Sequence, residues 1–399
     1  MFAQWYRQNS NRIQAPSPIE KREFAFLLFK GKTMLRHKGF RRTEDFRDTL
    51  QNLAPSDVYY SGAYYSSPEE DMSAKGWTGA DLIFDIDADH IPTPCKQEHD
   101  TWKCRNCGTV GRGTKPEDCP ECAGQKFDIV KWPCETCLEV ARKETLKLVE
   151  VLDADFGFSP NELKLAFSGH RGYHVHVEDE AVRTLSAMAR KEIVDYMMGI
   201  GLEPALQGFE FQKGTGPSLE DSGWKGRLAR AAYESLTSTQ EQQEKPSSKK
   251  ARPVLQQRER TLERWDGKGP WVLFGRISPS NWKKIMLEAV EKQSVKIDTV
   301  VTTDVHRLIR LSDTLHGETG LKKVEFAADE IERFDPLKGA IAFTDGTVQV
   351  EVAEAPQFRL GDTVYGPFKG KRVELPTAAA MFLLCKGVAE ALEEPVIVQ

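Results

Sequence analysis

Apolar runs in this chain repeatedly end in charged clusters, and those junctions set out the elements to expect. Residues 21–29 (KREFAFLLF) read as a strand entering a core, with Gly31 and Lys32 as the turn after it. In 79–90 (GADLIFDIDADH), Leu82, Ile83 and Phe84 pass directly into Asp85, Asp87 and Asp89, and 81–88 read as a second strand. Residues 163–167 (LKLAF) and 173–177 (YHVHV) are further strand-like runs on either side of SGHRG. Within the second of these, Tyr173, Val175 and Val177 alternate toward a core, leaving His174 and His176 on the opposite face. The spacing of Leu138, Ala141, Leu146, Val149 and Leu152 predicts an amphipathic helix, and 181–200 is helical in pattern. Residues 295–301 are strand-like, and a helix is expected over 377–392, after Pro376. Strands and helices mix without strict alternation and without an internal repeat, so the expected fold is α+β, a mixed α/β core.

The 399 residues suffice for two or three domains, or for one large domain with insertions. The reading adopted is a core begun by 1–180, which contains a cysteine-rich insertion at 94–138. A mostly helical insertion follows at 181–294, and 295–399 complete the core. Around 236–260 the composition turns to Gln, Glu, Lys and Ser, as in a solvated mobile loop. No run approaches the roughly 20 apolar residues that span a bilayer, and the first residues lack the apolar segment of a secretory signal. An intracellular protein with reduced thiols is therefore expected. The formal net charge of −5 argues against a protein that grips nucleic acid by overall charge. Any positive patch must be local or supplied by a partner.

The acids deserve a physical reading. Side chains two apart on a strand point the same way, so Asp85 and Asp87 project together, about 7 Å apart at their backbones. Two such carboxylates can converge on hard divalent ions such as Mg²⁺, and a pair of ions is the arrangement that drives in-line phosphoryl displacement. The stretch FSGHRGYHVHV offers Ser168, His170, Arg171, His174 and His176, with glycines that permit a sharp turn. Arg171 can hold phosphate through two parallel hydrogen bonds, and Ser168 and His174 add donors, so the cluster reads as an anion site. A second basic cluster places Arg307, Arg310 and His316 after Asp298.

Seven of the eight cysteines fall between Cys95 and Cys137. Cys104 and Cys107, with Cys119 and Cys122, form two C-x-x-C knuckles of the kind that close a tetrahedral zinc site. Cys95, His99, Cys134 and Cys137 make a second set enclosing the first. With a single zinc, Cys134 and Cys137 could instead pair with Cys104 and Cys107. Neither set is catalytic, because four protein ligands leave no open position.

Taken in order, these clusters resemble the small, catalytic subunit of archaeal and eukaryotic DNA primases, the archaeal form most closely. The resemblance lies in KREFAF, MLRHKGF, DLIFDIDADH, the zinc block, FSGHRGYHVHV and DTVVTTDVHRLIRLSDTLHGETGL. It implies a mixed α/β catalytic core with a zinc knuckle and a helical insertion, and template-directed synthesis of short RNA or DNA primers. It implies that Asp85, Asp87 and Asp298 bind Mg²⁺ or Mn²⁺. Ser168, Arg171, His174, Arg310 and His316 would hold the incoming nucleoside triphosphate. Cys95, His99, Cys134 and Cys137 look like the family's zinc knuckle, and the inner four-cysteine ribbon like an insertion of some members. The implied partners are single-stranded DNA and a primase large subunit in a heterodimer. Two departures stand out. Ser312 and Asp313 occupy a place where the family often has Pro, and Glu318 stands where a Lys commonly precedes Thr-Gly. An acid there cannot bind phosphate; Lys322 and Lys323 are the neighbouring cations able to compensate.

Three competing readings are weighed against this one. A repair polymerase or primase-polymerase of the same superfamily shares the motifs. A non-catalytic zinc-ribbon protein accounts for the cysteines but leaves Asp85, Asp87, Arg171 and Arg310 unused. An aspartyl phosphotransferase of the haloacid dehalogenase type would carry Thr or Val where this chain has Asp89.

Overall fold

A computed structural model describes residues 1–209, 215–238, 271 and 279–392. The polar stretch expected at 236–260 lies, from 239 onward, outside the described residues. The chain forms two units, one of Met1–Leu146, Pro160–Lys191 and Ile297–Gln399, the other of Lys147–Ser159 with Glu192–Lys296.

Two four-stranded antiparallel sheets carry the first unit. One runs Leu308–Arg310, Asp57–Ser61, Phe24–Leu27, Met34–Lys38 in spatial order. The expected strand at 21–29 is thus realised as Phe24–Leu27. Its Phe24 and Phe26 pack with Phe46 and Leu50 of the helix Thr43–Leu53, and with Val58 and Ile309. The other sheet runs Val324–Phe326, Leu163–Phe167, Gly172–Val177, Leu82–Asp87. Leu82, Ile83, Phe84 and Ile86 are all buried, which explains an apolar run where a half-exposed strand would alternate. This acidic strand is the sheet's edge, paired on one side only, with Asp85 opposite His174 and Asp87 opposite Gly172.

Four expectations change in detail. His174 and His176 do leave the face of Tyr173, Val175 and Val177, but they are buried as well, because the second face of the sheet is also covered. The segment 181–200 contains two helices, Glu180–Arg183 and Ala187–Met198. Residues 295–301 are not a strand: the chain is extended up to Asp298 and then turns into the short helix Thr299–Thr303. The Asp298 carboxylate accepts from the Val300 N–H and caps that helix, a local bond that outweighs the β preference of the valines. Finally, the helix begun at Thr377 ends at Cys385 rather than 392. Gly387, at φ +69°, reverses the chain there, and a strand Ala389–Ala391 joins Thr347–Ala355 and Phe368–Pro376 in a third sheet.

The cysteine-rich insertion forms a three-stranded ribbon, Val110–Arg112, Thr101–Cys104, Phe127–Val130, and leads into the long helix Glu135–Phe156. In the second unit, Phe209, Trp224, Leu228, Trp271, Met286 and Ala289 form a separate apolar core. Among the described residues, no helix is long and apolar enough to cross a membrane.

Candidate active site and zinc centres

The acidic edge strand gathers the carboxylates. Its outer side carries no strand partner, and the Asp85 carbonyl there accepts a 2.8 Å hydrogen bond from the Asp298 N–H. Two acids 213 positions apart are thereby joined through one backbone bond. Burial, then the neighbouring charges of Asp87 and Asp298, pushes the Asp85 carboxyl up to about 7. Asp87 is raised for the same first reason, with Asp89 as the next cause. The His174 Nε2 lies 3.6 Å from Asp85 Oδ1, while its buried Nδ1 has no hydrogen-bond partner. His90 approaches Asp298 at 4.0 Å. Asp89 leaves this group: the chain turns at Ala88–His90, and the Asp89 carboxylate pairs with Lys131 and Arg171.

The turn between the two hairpin strands is closed by Ser168, whose Oγ accepts from the His170 and Gly172 N–H groups at 3.3 and 3.2 Å. Gly169, at φ +88°, lets this turn lie against the loop after Arg310; a Cβ there would sit 3.0 Å from His316 Cβ. Thr319 Oγ1 donates to the Gly169 carbonyl at 2.6 Å and locks the approach. His316 is thus brought to the hairpin turn, and its ring stacks on His170 with centroids 5.3 Å apart.

Arg310 is held by a residue that sequence reasoning missed. Buried Asp57 forms an ion pair with it and also accepts from the Gly317 N–H at 2.9 Å, fixing arginine and loop together. The Tyr59 hydroxyl accepts a further bond from Arg310 at 3.3 Å. The only sequence signal was an acid opening a strand, SDVYYS. Lys323 was weighed only as a substitute cation. It is buried, donates to the Arg310 carbonyl at 2.8 Å, and is pushed by burial down to about 7.

Arg171 is buried among acids. Only 2 % exposed, it spends its guanidinium on Asp89 and, at 2.9 and 3.0 Å, on both oxygens of Asp100. Its guanidinium thus ties the hairpin to Asp89 and to Asp100, the neighbour of the zinc-set residue His99. Asp100 continues the chain of contacts by accepting from His99 Nδ1 at 2.8 Å.

Both cysteine sets assemble. The ligand atoms of Cys95, His99, Cys134 and Cys137 lie within 4.8 Å of one another, as do those of Cys104, Cys107, Cys119 and Cys122. Four thiolates around a zinc at about 2.3 Å must sit about 3.8 Å apart by tetrahedral geometry. The observed separations are 3.5 Å for Cys95–Cys137, 3.7 Å for Cys104–Cys122 and 3.6 Å for Cys107–Cys119. His99 offers Nε2, 3.6 Å from the Cys137 sulfur, while Asp100 occupies Nδ1, the carboxylate–histidine support found behind zinc ligands. Two separate sites result, and no exchange of Cys134 and Cys137 with the inner knuckle is required. Among the described residues these are the only groups of three or more such ligands gathered so closely; the three aspartates are not drawn together to that degree.

Comparison with known proteins agrees with this geometry. The model of the family described as DNA primase small subunit matches residues 131–328. A DNA primase small subunit PriS of Archaeoglobus fulgidus is 36 % identical over 404 residues, covering 97 % of this chain and 96 % of the relative. The PriS proteins of Methanothrix thermoacetophila and Cenarchaeum symbiosum are 34 % and 32 % identical, each over 98 % of this chain and 96 % of their own length. With matches of this extent, the chain belongs to the DNA primase small subunit family.

Proposed function

We propose that this primase subunit joins nucleoside triphosphates de novo into short RNA or DNA primers on single-stranded DNA. Asp85, Asp87 and Asp298 hold a pair of divalent cations, Mg²⁺ or Mn²⁺, and Ser168, His174, Arg310 and His316 form the seat of the incoming triphosphate. The bond between the Asp298 N–H and the Asp85 carbonyl carries this reading, because it unites acids from two distant segments at one unpaired strand edge. The donor set is all oxygen, as hard divalent ions require. Among the described residues no lysine or arginine forms an ion pair with the raised Asp85 carboxyl, and the His174 ring at 3.6 Å is neutral, so crowded negative charge is left for an external cation to relieve.

When bound, such a pair of ions activates the primer's 3′-hydroxyl and stabilises the departing pyrophosphate. The chain's own groups do the rest. Arg310, braced by Asp57, and His316, braced by the hairpin turn, meet the phosphate oxygens with donors fixed before the substrate arrives. His174, buried and kept neutral by burial, presents a ring nitrogen beside Asp85. Arg171 acts from behind as a positioning residue, tying the Ser168–His174 hairpin to Asp89 and the zinc-side Asp100. Zn²⁺ in each cysteine site is structural, since four protein ligands fill its coordination.

A large-subunit partner supplies template grip, a need that the net charge of −5 supports. The test is incorporation of labelled nucleotides on bare single-stranded DNA with Mg²⁺ or Mn²⁺, comparing ribo- and deoxynucleotides with and without that partner. Asp85→Asn, Asp87→Asn and Asp298→Asn are each expected to abolish incorporation. A folded variant with near-normal synthesis would refute the assignment, and a wild-type chain without synthesis would favour a non-catalytic zinc protein.

A further inference from the structure

Lys386 is the C-cap of the helix Thr377–Cys385. The turn beyond it is rigid: Gly387 N–H donates to the Leu384 carbonyl at 3.0 Å and Val388 N–H to that of Leu383 at 3.2 Å, a closed helix end with Gly387 left-handed. A lysine at such an end ordinarily reaches into water. This one is only 9 % exposed, and it makes no ion pair with any described residue. Its ammonium instead donates to the His170 Nε2 at 2.8 Å. His170 is itself buried, stacks on His316, and has Nε2 3.8 Å from the exposed Glu318 carboxylate.

A buried ammonium, with a neutral imidazole as its hydrogen-bond partner, is costly unless an anion completes it. Burial pushes Lys386 down to about 7, with Glu318 the first group acting in the other direction. The row Lys386, His170, His316 runs from the helix end to the seat described above. We propose that Lys386 is a further phosphate-binding residue of that seat, donating to a terminal phosphate oxygen of the bound triphosphate, with His170 holding the ammonium in line. Glu318, exposed beside the row, yields its place to the incoming phosphate. Lys386 thereby provides the cation that the acid at position 318 cannot. This inference rests on the reading that His316 faces the triphosphate.

The experiment uses the full zinc-loaded chain and measures equilibrium binding of inorganic tripolyphosphate, with inorganic phosphate as comparison, for wild type, Lys386→Met, Lys386→Arg and His316→Ala. Thermal midpoints and the KM and kcat for a nucleoside triphosphate are measured on the same samples. Lys386→Met is expected to weaken tripolyphosphate binding about tenfold or more, the loss of one charge-assisted bond, and to raise KM more than it lowers kcat. Its midpoint should hold or rise, because a buried charge without an acid is removed, and Lys386→Arg should recover part of the affinity. Unchanged tripolyphosphate binding by Lys386→Met, or binding lost together with a falling midpoint, overturns the proposal. If His316→Ala weakens binding and Lys386→Met does not, this inference alone fails; if His316→Ala binds normally, the underlying seat fails with it.

Discussion

Asp87 and Asp89 stand two residues apart on one chain and live in opposite electrostatic worlds. On the strand side, burial and then the charges of Asp87 and Asp298 raise the Asp85 carboxyl, and burial and then the charge of Asp89 raise that of Asp87. Within the Ala88–His90 turn, Asp89 is half-buried, yet Arg171 and Lys131 overcome the burial and hold it below the usual carboxylate range. Asp100 is likewise lowered, against burial, by His99 and Arg171. The contrast separates two uses of a buried acid. Carboxylates that carry their counter-ions within the chain are framework; on the function proposed above, those left without one take the cations that come with the substrate.

The sharpest way to break this contrast is to neutralise one acid on each side. Asp87→Asn should lower nucleotide incorporation by about 10³-fold or more, roughly 4 kcal/mol of transition-state stabilisation, with the thermal midpoint kept within a few degrees. Asp100→Ala should do the reverse, destabilising the fold by about 2–3 kcal/mol because buried Arg171 keeps only Asp89 and His99 loses its acceptor. Denaturant unfolding of the two variants, read beside their incorporation rates, tests both statements. A stable Asp100→Ala protein would erase the distinction.

The pH dependence sharpens it further. The folded-state pKa of Asp85 lies above the 3.8 of a free aspartate side chain, so ionising it opposes folding. That penalty is absent below pH 3.8 and complete above about 7. In zinc-loaded protein free of Mg²⁺ and Mn²⁺ at pH 8, Asp85→Asn is therefore expected to be more stable than wild type, by on the order of 2 kcal/mol once partial exposure is allowed for. The gain should vanish near pH 4, and millimolar Mg²⁺ should shrink it at pH 8. The smallest effect belongs to the surface: Arg112 and Glu354 pair at 3.2 Å in the open, and Glu354→Ala should cost under about 0.5 kcal/mol in an unfolding titration.

Much of this was legible beforehand, and the reason is local. The acidic strand and the hairpin around SGHRG follow from apolar runs and glycines within a dozen residues, and both zinc sets from C-x-x-C spacing. What escaped reading depends on contacts across the chain. That Asp89 and Asp100 both reach Arg171 was not visible, because each lies more than seventy positions from it. Asp57 looked like any acid at a strand start, although it braces Arg310, 253 positions away.

The order of residues alone therefore settled which side chains could serve, since strand alternation and metal-ligand spacing are properties of a few consecutive positions. Only the folded chain decided which of them serve together. Whether a buried acid or base meets an opposite charge depends on segments hundreds of residues apart, and that pairing determines whether its charge stabilises the framework or waits for a ligand.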